Sequence, residues 1–482
     1  MDLSGSPGQT FEYVGVALGD LMGRGWGMCE YFRYYRDPFN DFTKGYYFSK
    51  KRDKSDFEWE ALCYLTVHYF PWMFMYITIS DFIRKLSLFK VFQVWQICFS
   101  LCYVLLDMGY VVVYILLLQP CIFYLLCNFY RNAVITWICS GISLLIITHC
   151  KHANLSGNFL KEVRLNEYEL YFIVLCLFWM NLKCTSYFME KQSSKNPLDF
   201  FAYCFYPPTV FTGPFIPYEE YLDINKSRTL SFLERVRKLF LNLSRCLFWF
   251  LFMNFILHYV YVNATAYQPR FVRKFNNWSL YGYGYAMGQF FHIKYVVLYG
   301  LGTSFASYEN VTVPYLPRCI GRIHLYSHMW KYFDPGLYNF LVKYIYIPFC
   351  KIVYFKLIAS LICFLFVYLW HGVEESILIW TALNYIGIVI EYVGNVIYKR
   401  FLETNHDEKG YPLRRVKCIL ASPLLALSAV SNFYFFAGTE IGNIFVQRIL
   451  NDSIVNNISL LVILYCCCQV STELQNIDAN KM

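Results

Sequence analysis

Two residues in the C-terminal half of the chain have side chains suited to moving a proton. His371 ends the run Tyr368-Leu369-Trp370-His371-Gly372, and Asp334 follows Met329-Trp330-Lys331-Tyr332-Phe333. An imidazole titrates near neutrality and can take a proton from a nucleophile as it attacks. A carboxylate in an aromatic and basic cluster can hold a substrate or orient an amine. Each residue also has an ordinary reading. Asp334 precedes Pro335, the pattern of a helix N-cap with proline at the first helical position. His371 adjoins a tryptophan, as histidines at membrane interfaces do. Spacing alone does not separate these roles. Cations crowd the approach at Arg318, Arg322, Lys331, Lys343, Lys351 and Lys356, with Asp334 as the sole acid among them; the sign reverses at Glu374 and Glu375.

The elements that position these residues are membrane spans. The 482 residues are 57% hydrophobic and 21% aromatic, too apolar for an ordinary soluble chain, and the apolar residues come in blocks near the ~20 residues a bilayer core requires. The expected fold is an all-α polytopic membrane protein with a core of ten to eleven transmembrane helices plus re-entrant elements. Spans are expected near 61–79, 91–106, 108–127, 133–150, 168–189, 239–262, 285–303, 375–397, 416–436 and 456–470, and one more crosses between Asp334 and His371. Residues 1–60 are expected to form an interfacial or weak first-span region, 61–470 the membrane domain and 471–482 a short polar tail.

Local sequence adds detail. The stretch 50–56 is densely charged and is expected to be aqueous, and Gln119-Pro120 is expected to kink the third span. Lys183 lies well inside an apolar run. It must face protein or water, with snorkelling to the near interface favoured. Residues 206–217 hold four prolines and a glycine and cannot keep a helical ladder. Such backbone reads as a re-entrant element beside a pocket, or as an apolar surface loop. The chain starts without a signal peptide's basic and apolar regions, so an internal span is expected to enter the membrane.

The net charge of +9 does not imply nucleic acid, because the cations fall in short clusters between apolar blocks, as positive-inside topology requires. The 19 cysteines lack any C-x-x-C spacing and lie mostly in apolar runs, which argues against a disulfide framework or zinc site. Two basic connections, 343–356 and 399–417, flank two spans joined by His371-Gly372-Val373-Glu374-Glu375-Ser376. Two crossings return the chain to the same side, so both basic connections are cytoplasmic and His371 is lumenal.

Residues 329–337, then Lys343-Tyr344-Ile345-Tyr346-Ile347-Pro348, then Trp370-His371-Gly372 together resemble the membrane-bound O-acyltransferase family, and more narrowly its hedgehog acyltransferase branch. Supporting pieces occur in family order: Lys54 to Trp59, Phe205-Tyr206-Pro207 with Gly213-Pro214, Leu316-Pro317-Arg318-Cys319, and Ser431-Asn432 followed by Gly438-Thr439-Glu440-Ile441-Gly442. The resemblance implies His371 as catalytic histidine and Asp334 as the second active-site residue. It implies acyl-CoA or substrate contacts at Trp330, Lys331 and Lys343. Cys319 matches a position proposed to ligate haem B, with Arg318, Arg322 and His324 placed to meet propionates. The implied reaction moves palmitate from palmitoyl-CoA to the N-terminal cysteine of a secreted signalling protein of Hedgehog or EGF type, forming an amide. The implied setting is the endoplasmic reticulum or Golgi, among membrane lipids and without nucleic acid. Phe349-Cys350-Lys351 departs from the family's glycine-rich turn, and Thr439 stands where an amide is expected. Competing classes are a transporter, against which the lack of an internal repeat argues, an inactive relative, and a lipid- or serine-directed O-acyltransferase.

Overall fold

The computed structural model describes residues 41–46, 49–130, 132–152, 165–190, 196–226, 230–401 and 411–479, so most of the expected N-terminal region lies outside the described residues. A two-stranded antiparallel hairpin, β1 (Phe42–Lys44) and β2 (Lys51–Asp53), opens this part of the chain. Within the stretch expected to be aqueous, Lys50 and Lys51 are exposed, but Arg52 and Asp53 are only 2% and 1% exposed. Burial holds because both charges are matched. Arg52 donates to Asn254 at 2.9 Å and Glu60 at 2.8 Å, and Asp53 accepts from the amides of Asn263 and Ala264, each at 3.0 Å.

Helices α1 (Phe57–His68) and α2 (Phe70–Lys85) follow, bent 46° at Tyr69. Next come α3 (Phe89–Asp107), α4 (Tyr110–Tyr130), α5 (Ala133–His152) and α6 (Glu167–Met189), the last opened by a capping box between Asn166 and Glu169. Pro120 sits inside a continuous α4, and Gln119 donates to Ser143 of α5 at 2.7 Å. After α7 (Pro197–Cys204), helix α8 (Phe232–Ile256) starts at a second capping box, Ser231 with Glu234. The 32-residue α9 (Asn277–Tyr308) runs through the middle of the fold. Short α10 (Tyr326–Phe333) and α11 (Pro335–Phe340) lead through a π turn to α12 (Lys356–His371), α13 (Glu375–Phe401), α14 (Tyr411–Asn451) and α15 (Ile454–Ala479).

Among the described residues, eight helices are long and apolar enough to cross a membrane, and the bent α1–α2 pair qualifies as one further broken span. Helix α9 and the 16-residue apolar α12 complete the expected set. Gly438, at φ 80°, breaks α14, and α15 continues as helix through 471–479, where the polar tail is expected.

Lys183 does not snorkel. It is 2% exposed, and its ammonium donates to the carbonyl of Cys204 at 3.3 Å. The reason is its neighbour: α7 and the turn after it cover this side of α6. Residues 202–218 are buried throughout, as the re-entrant reading requires. Backbone carbonyls and amides that a proline-rich segment cannot pair internally are met by side chains instead. Tyr69 donates to the carbonyl of Pro207 at 2.8 Å, Ser100 to Phe205 at 2.7 Å and Tyr203 to Ile216 at 2.7 Å, while the Tyr218 amide donates to Ser186 Oγ at 3.0 Å. Helix α9 passes against this element at Gly302, where an added Cβ would lie 2.6 Å from the Pro208 carbonyl and 2.7 Å from that of Gly213.

Candidate active site

His371 is the last residue of α12, where Gly372 at φ 117° ends the helix. Its half-buried ring stands nearly perpendicular to Trp380 of α13, at 5.4 Å, and to Phe435 of α14, at 5.2 Å. The Trp380 indole is held by its N–H to Asn432 Oδ1 at 3.1 Å. On its other side lies Trp330, 5.6 Å away and held through its own N–H by Asn384 Oδ1 at 3.2 Å. Asn384 donates in turn to the Trp380 carbonyl at 2.8 Å and to Ser431 at 3.3 Å, tying α13 to α14 behind the imidazole.

Asp334 occupies the junction of α10 and α11. It caps α11 as the local sequence suggests, its Oδ1 accepting the Leu337 amide at 2.9 Å. Its other oxygen, Oδ2, accepts the Tyr299 hydroxyl of α9 at 2.8 Å. Part of the residue's surface stays open, yet its carboxyl is enclosed by protein. That burial holds its pKa above the ordinary carboxylate range against the opposing pull of the Leu337 and Gly336 amides and the Tyr299 hydroxyl.

Aromatic rings join the two residues by two routes. Along one, Phe435 meets Phe291 at 5.5 Å, Phe291 stacks on Phe333 at 5.4 Å, and Phe333 precedes Asp334 in the chain. Along the other, Trp370, the residue before His371, packs on Trp179 at 5.6 Å, and Trp179 meets Tyr299 at 6.3 Å. His371, Asp334 and Trp330 therefore share one ring-walled region made by α6, α9, α10, α12, α13 and α14.

The other residues singled out from sequence lie at varied distance from this centre. Lys331 is exposed, beside the Tyr332 ring at 5.3 Å. The Lys343 ammonium is paired with Glu190 and Glu219, each at 2.7 Å; burial lowers its pKa, but the two carboxylates outweigh that and hold it above the ordinary lysine value. Tyr344 also donates to Glu190, so this cluster fastens the turn before α12 to the end of α6. Cys319 is half-buried, with the Gln289 amide 3.8 Å from its sulfur. A Cβ added at Gly321 would lie 3.9 Å from that sulfur and 3.5 Å from the Tyr285 hydroxyl, both ordinary contact distances. Two of the basic residues expected around Cys319 are otherwise engaged. Arg318 lies over the Tyr332 ring at 4.2 Å, and His324, hydrogen-bonded with Ser471 at 2.8 Å, is pushed down to about 4 by burial and by His328, so it stands neutral.

Tyr299, Trp179, Trp380 and Phe435 escape a reading of the sequence. Each is an aromatic residue in an apolar helix, indistinguishable there from core. Only Asn432, already conspicuous as part of Ser431-Asn432, had a local signal.

A model of the membrane-bound O-acyltransferase family matches residues 150–422, a range that includes Asp334 and His371. The chain is 30% identical over 440 residues to protein-cysteine N-palmitoyltransferase Rasp of Drosophila melanogaster, covering 88% of this chain and 85% of that one. It is 26% identical over 450 residues to protein-cysteine N-palmitoyltransferase HHAT of Mus musculus, covering 86% and 87%. A membrane-bound O-acyltransferase, gup1 of Schizosaccharomyces pombe, is 24% identical over 425 residues, 76% and 70% of the two chains. With its multi-span helical fold and a matched region that carries both Asp334 and His371, the chain belongs to the membrane-bound O-acyltransferase family.

Proposed function

We propose that this acyltransferase moves palmitate from palmitoyl-CoA to the amine of an N-terminal cysteine on a secreted signalling protein of Hedgehog type. The observation that carries the assignment of residues is the shared ring-walled region: His371 and Asp334, 37 positions apart in sequence, are joined by packed aromatic rings rather than placed on separate surfaces. Palmitate's apolar chain suits such a region. Burying about fourteen methylenes at ~0.8 kcal/mol each is worth roughly 11 kcal/mol.

In this reading the amine attacks the thioester carbonyl carbon and a C–N bond forms. The carbonyl π pair moves onto oxygen, His371 takes the amine's proton, and the C–S bond breaks to release CoA, whose sulfur recovers that proton. Asp334 orients the acceptor amine with its enclosed carboxylate while Tyr299 and the Leu337 amide keep that carboxylate in place. Trp330 lines the acyl path. Exposed Lys331 meets the anionic CoA, and Lys343 lines the same basic stretch with its charge already shared between two carboxylates. Residues 61–470 make up the catalytic domain, with His371 facing the lumen of the endoplasmic reticulum. Haem B, if bound, would be held by the Cys319 sulfur.

The test uses purified protein, palmitoyl-CoA and two peptides, one with a free N-terminal cysteine and one N-acetylated. Hydroxylamine-resistant palmitoylation of the free peptide alone is the expected result. Resistant product on the acetylated peptide, or only labile product on either, would overturn the amide-forming assignment. A visible absorption band in the purified protein that vanishes in Cys319→Ala would support haem binding.

A further inference from the structure

A hydrogen-bond donor in the ring-walled region, on Trp179, is left unused by the scheme above. Trp179 of α6 is 5% exposed, and its indole Nε1 is buried with no acceptor among the described residues. Leaving such a donor unmet costs on the order of 1–3 kcal/mol, and a native fold that retains one calls for an explanation. The surrounding donors differ. Trp330 and Trp380 spend their N–H groups on Asn384 and Asn432, and Tyr299 spends its hydroxyl on Asp334. Trp179 packs against a neighbour of each residue assigned to the chemistry: against Trp370, next to His371 in the chain, at 5.6 Å, and against Tyr299, the partner of Asp334, at 6.3 Å. Its edge is fixed by Gly213 of the re-entrant element, where a Cβ would come within 2.6 Å of the indole Cζ2.

We propose that the Trp179 indole N–H is the donor that receives the carbonyl oxygen of the acyl thioester. Resting on the acyl-transfer reading, this supplies what that reading lacks. When the amine nitrogen bonds to the carbonyl carbon, the π pair becomes an oxyanion, and a fixed donor in an apolar site stabilises it more than water would. When the C–S bond breaks, the pair returns to the carbonyl, and the departing sulfur takes the amine's proton from His371. Nothing is transferred to or from the indole.

Two replacements in the full-length enzyme test this. Trp179→Phe removes the N–H and some volume; benzothienylalanine, incorporated at position 179, keeps the bicyclic shape and removes only the N–H. Both are expected to lower kcat by about 10²–10³-fold, with KM for palmitoyl-CoA within about threefold of the parent. Recovery of parental kcat by benzothienylalanine would assign the residue to packing and overturn the proposal. A second measurement needs no acceptor. Palmitoyl-CoA labelled with ¹³C at the carbonyl is bound to the His371→Ala protein and its infrared band recorded. The expected band lies below that of the free donor and moves back up when benzothienylalanine is also present at 179. A band unmoved by that change would overturn the proposal. Because this arm reads the donor alone, a failure of the parent enzyme to acylate the cysteine peptide would sink the acceptor assignment while leaving the carbonyl contact decided separately.

Discussion

At the scale of single residues, His371 is placed by what surrounds it. Two perpendicular rings, Trp380 and Phe435, hold the imidazole, and an asparagine fixes the nearer indole. His371→Ala should lower palmitoyl transfer by about 10²-fold or more, the scale of a lost general base, with the protein still folded in detergent. Near-parental turnover would remove it from the chemistry. Asp334 caps a helix and is proposed to act in the chemistry, two roles that substitutions can part. Asparagine caps a helix about as well as aspartate, so Asp334→Asn should leave thermal stability unchanged and lower transfer by about tenfold or more. Asp334→Ala should lose the activity and about 1 kcal/mol of stability as well. Equal activity in the asparagine variant would reduce the residue to its cap. How legible each role was follows from distance along the chain. The cap is written in Asp334-Pro335, because both partners are local. The bond from Tyr299 crosses 35 positions and has no local mark.

At the scale of elements, the proline-rich segment 206–217 and helix α9 are built against each other. Proline at four positions forbade a helix there and so announced the re-entrant element, but not which side chains would satisfy its backbone. Tyr69, at the bend between α1 and α2, and Tyr203, of α7, do so at Pro207 and Ile216. The contact with α9 depends on Gly302, and a pair of substitutions in that helix isolates it. Gly302→Ala sets a methyl against two backbone carbonyls and should cost about 1–3 kcal/mol, read as a lower melting temperature in detergent. Gly282→Ala, in the same helix with nothing near its Cβ, should be neutral or gain about 0.5–1 kcal/mol from helix propensity. Equal melting temperatures for the two would refute the close approach. The buried charges were the least legible part. Lys183 finds its carbonyl 21 positions away, and Arg52 finds Asn254 across 202, so composition placed one at an interface and the other in water.

At the scale of the whole molecule, the proposed orientation in the membrane rests on charge. By the positive-inside rule, we propose that the cations before α12 and around 399–417 lie on one side of the membrane and the turn after His371 on the other. Of that turn, Glu374 and Ser376 are buried while Val373 is 42% exposed, so Val373 is the position for a reporter. In sealed microsomes, Val373→Cys should resist a membrane-impermeant thiol reagent until the membrane is opened, and a protease site added in 402–410 should be cut from outside. Simultaneous access to both from one side would break the two-span topology. The same rings that wall the site also give it an optical identity. Trp179 with Trp370 and Trp330 with Trp380 form two indole pairs with centroids 5.6 Å apart, close enough for their transitions to couple. The near-ultraviolet circular dichroism of this enzyme should therefore be dominated by its active region, and an acyl chain sliding between those indoles could be followed by light, with no label on lipid or protein.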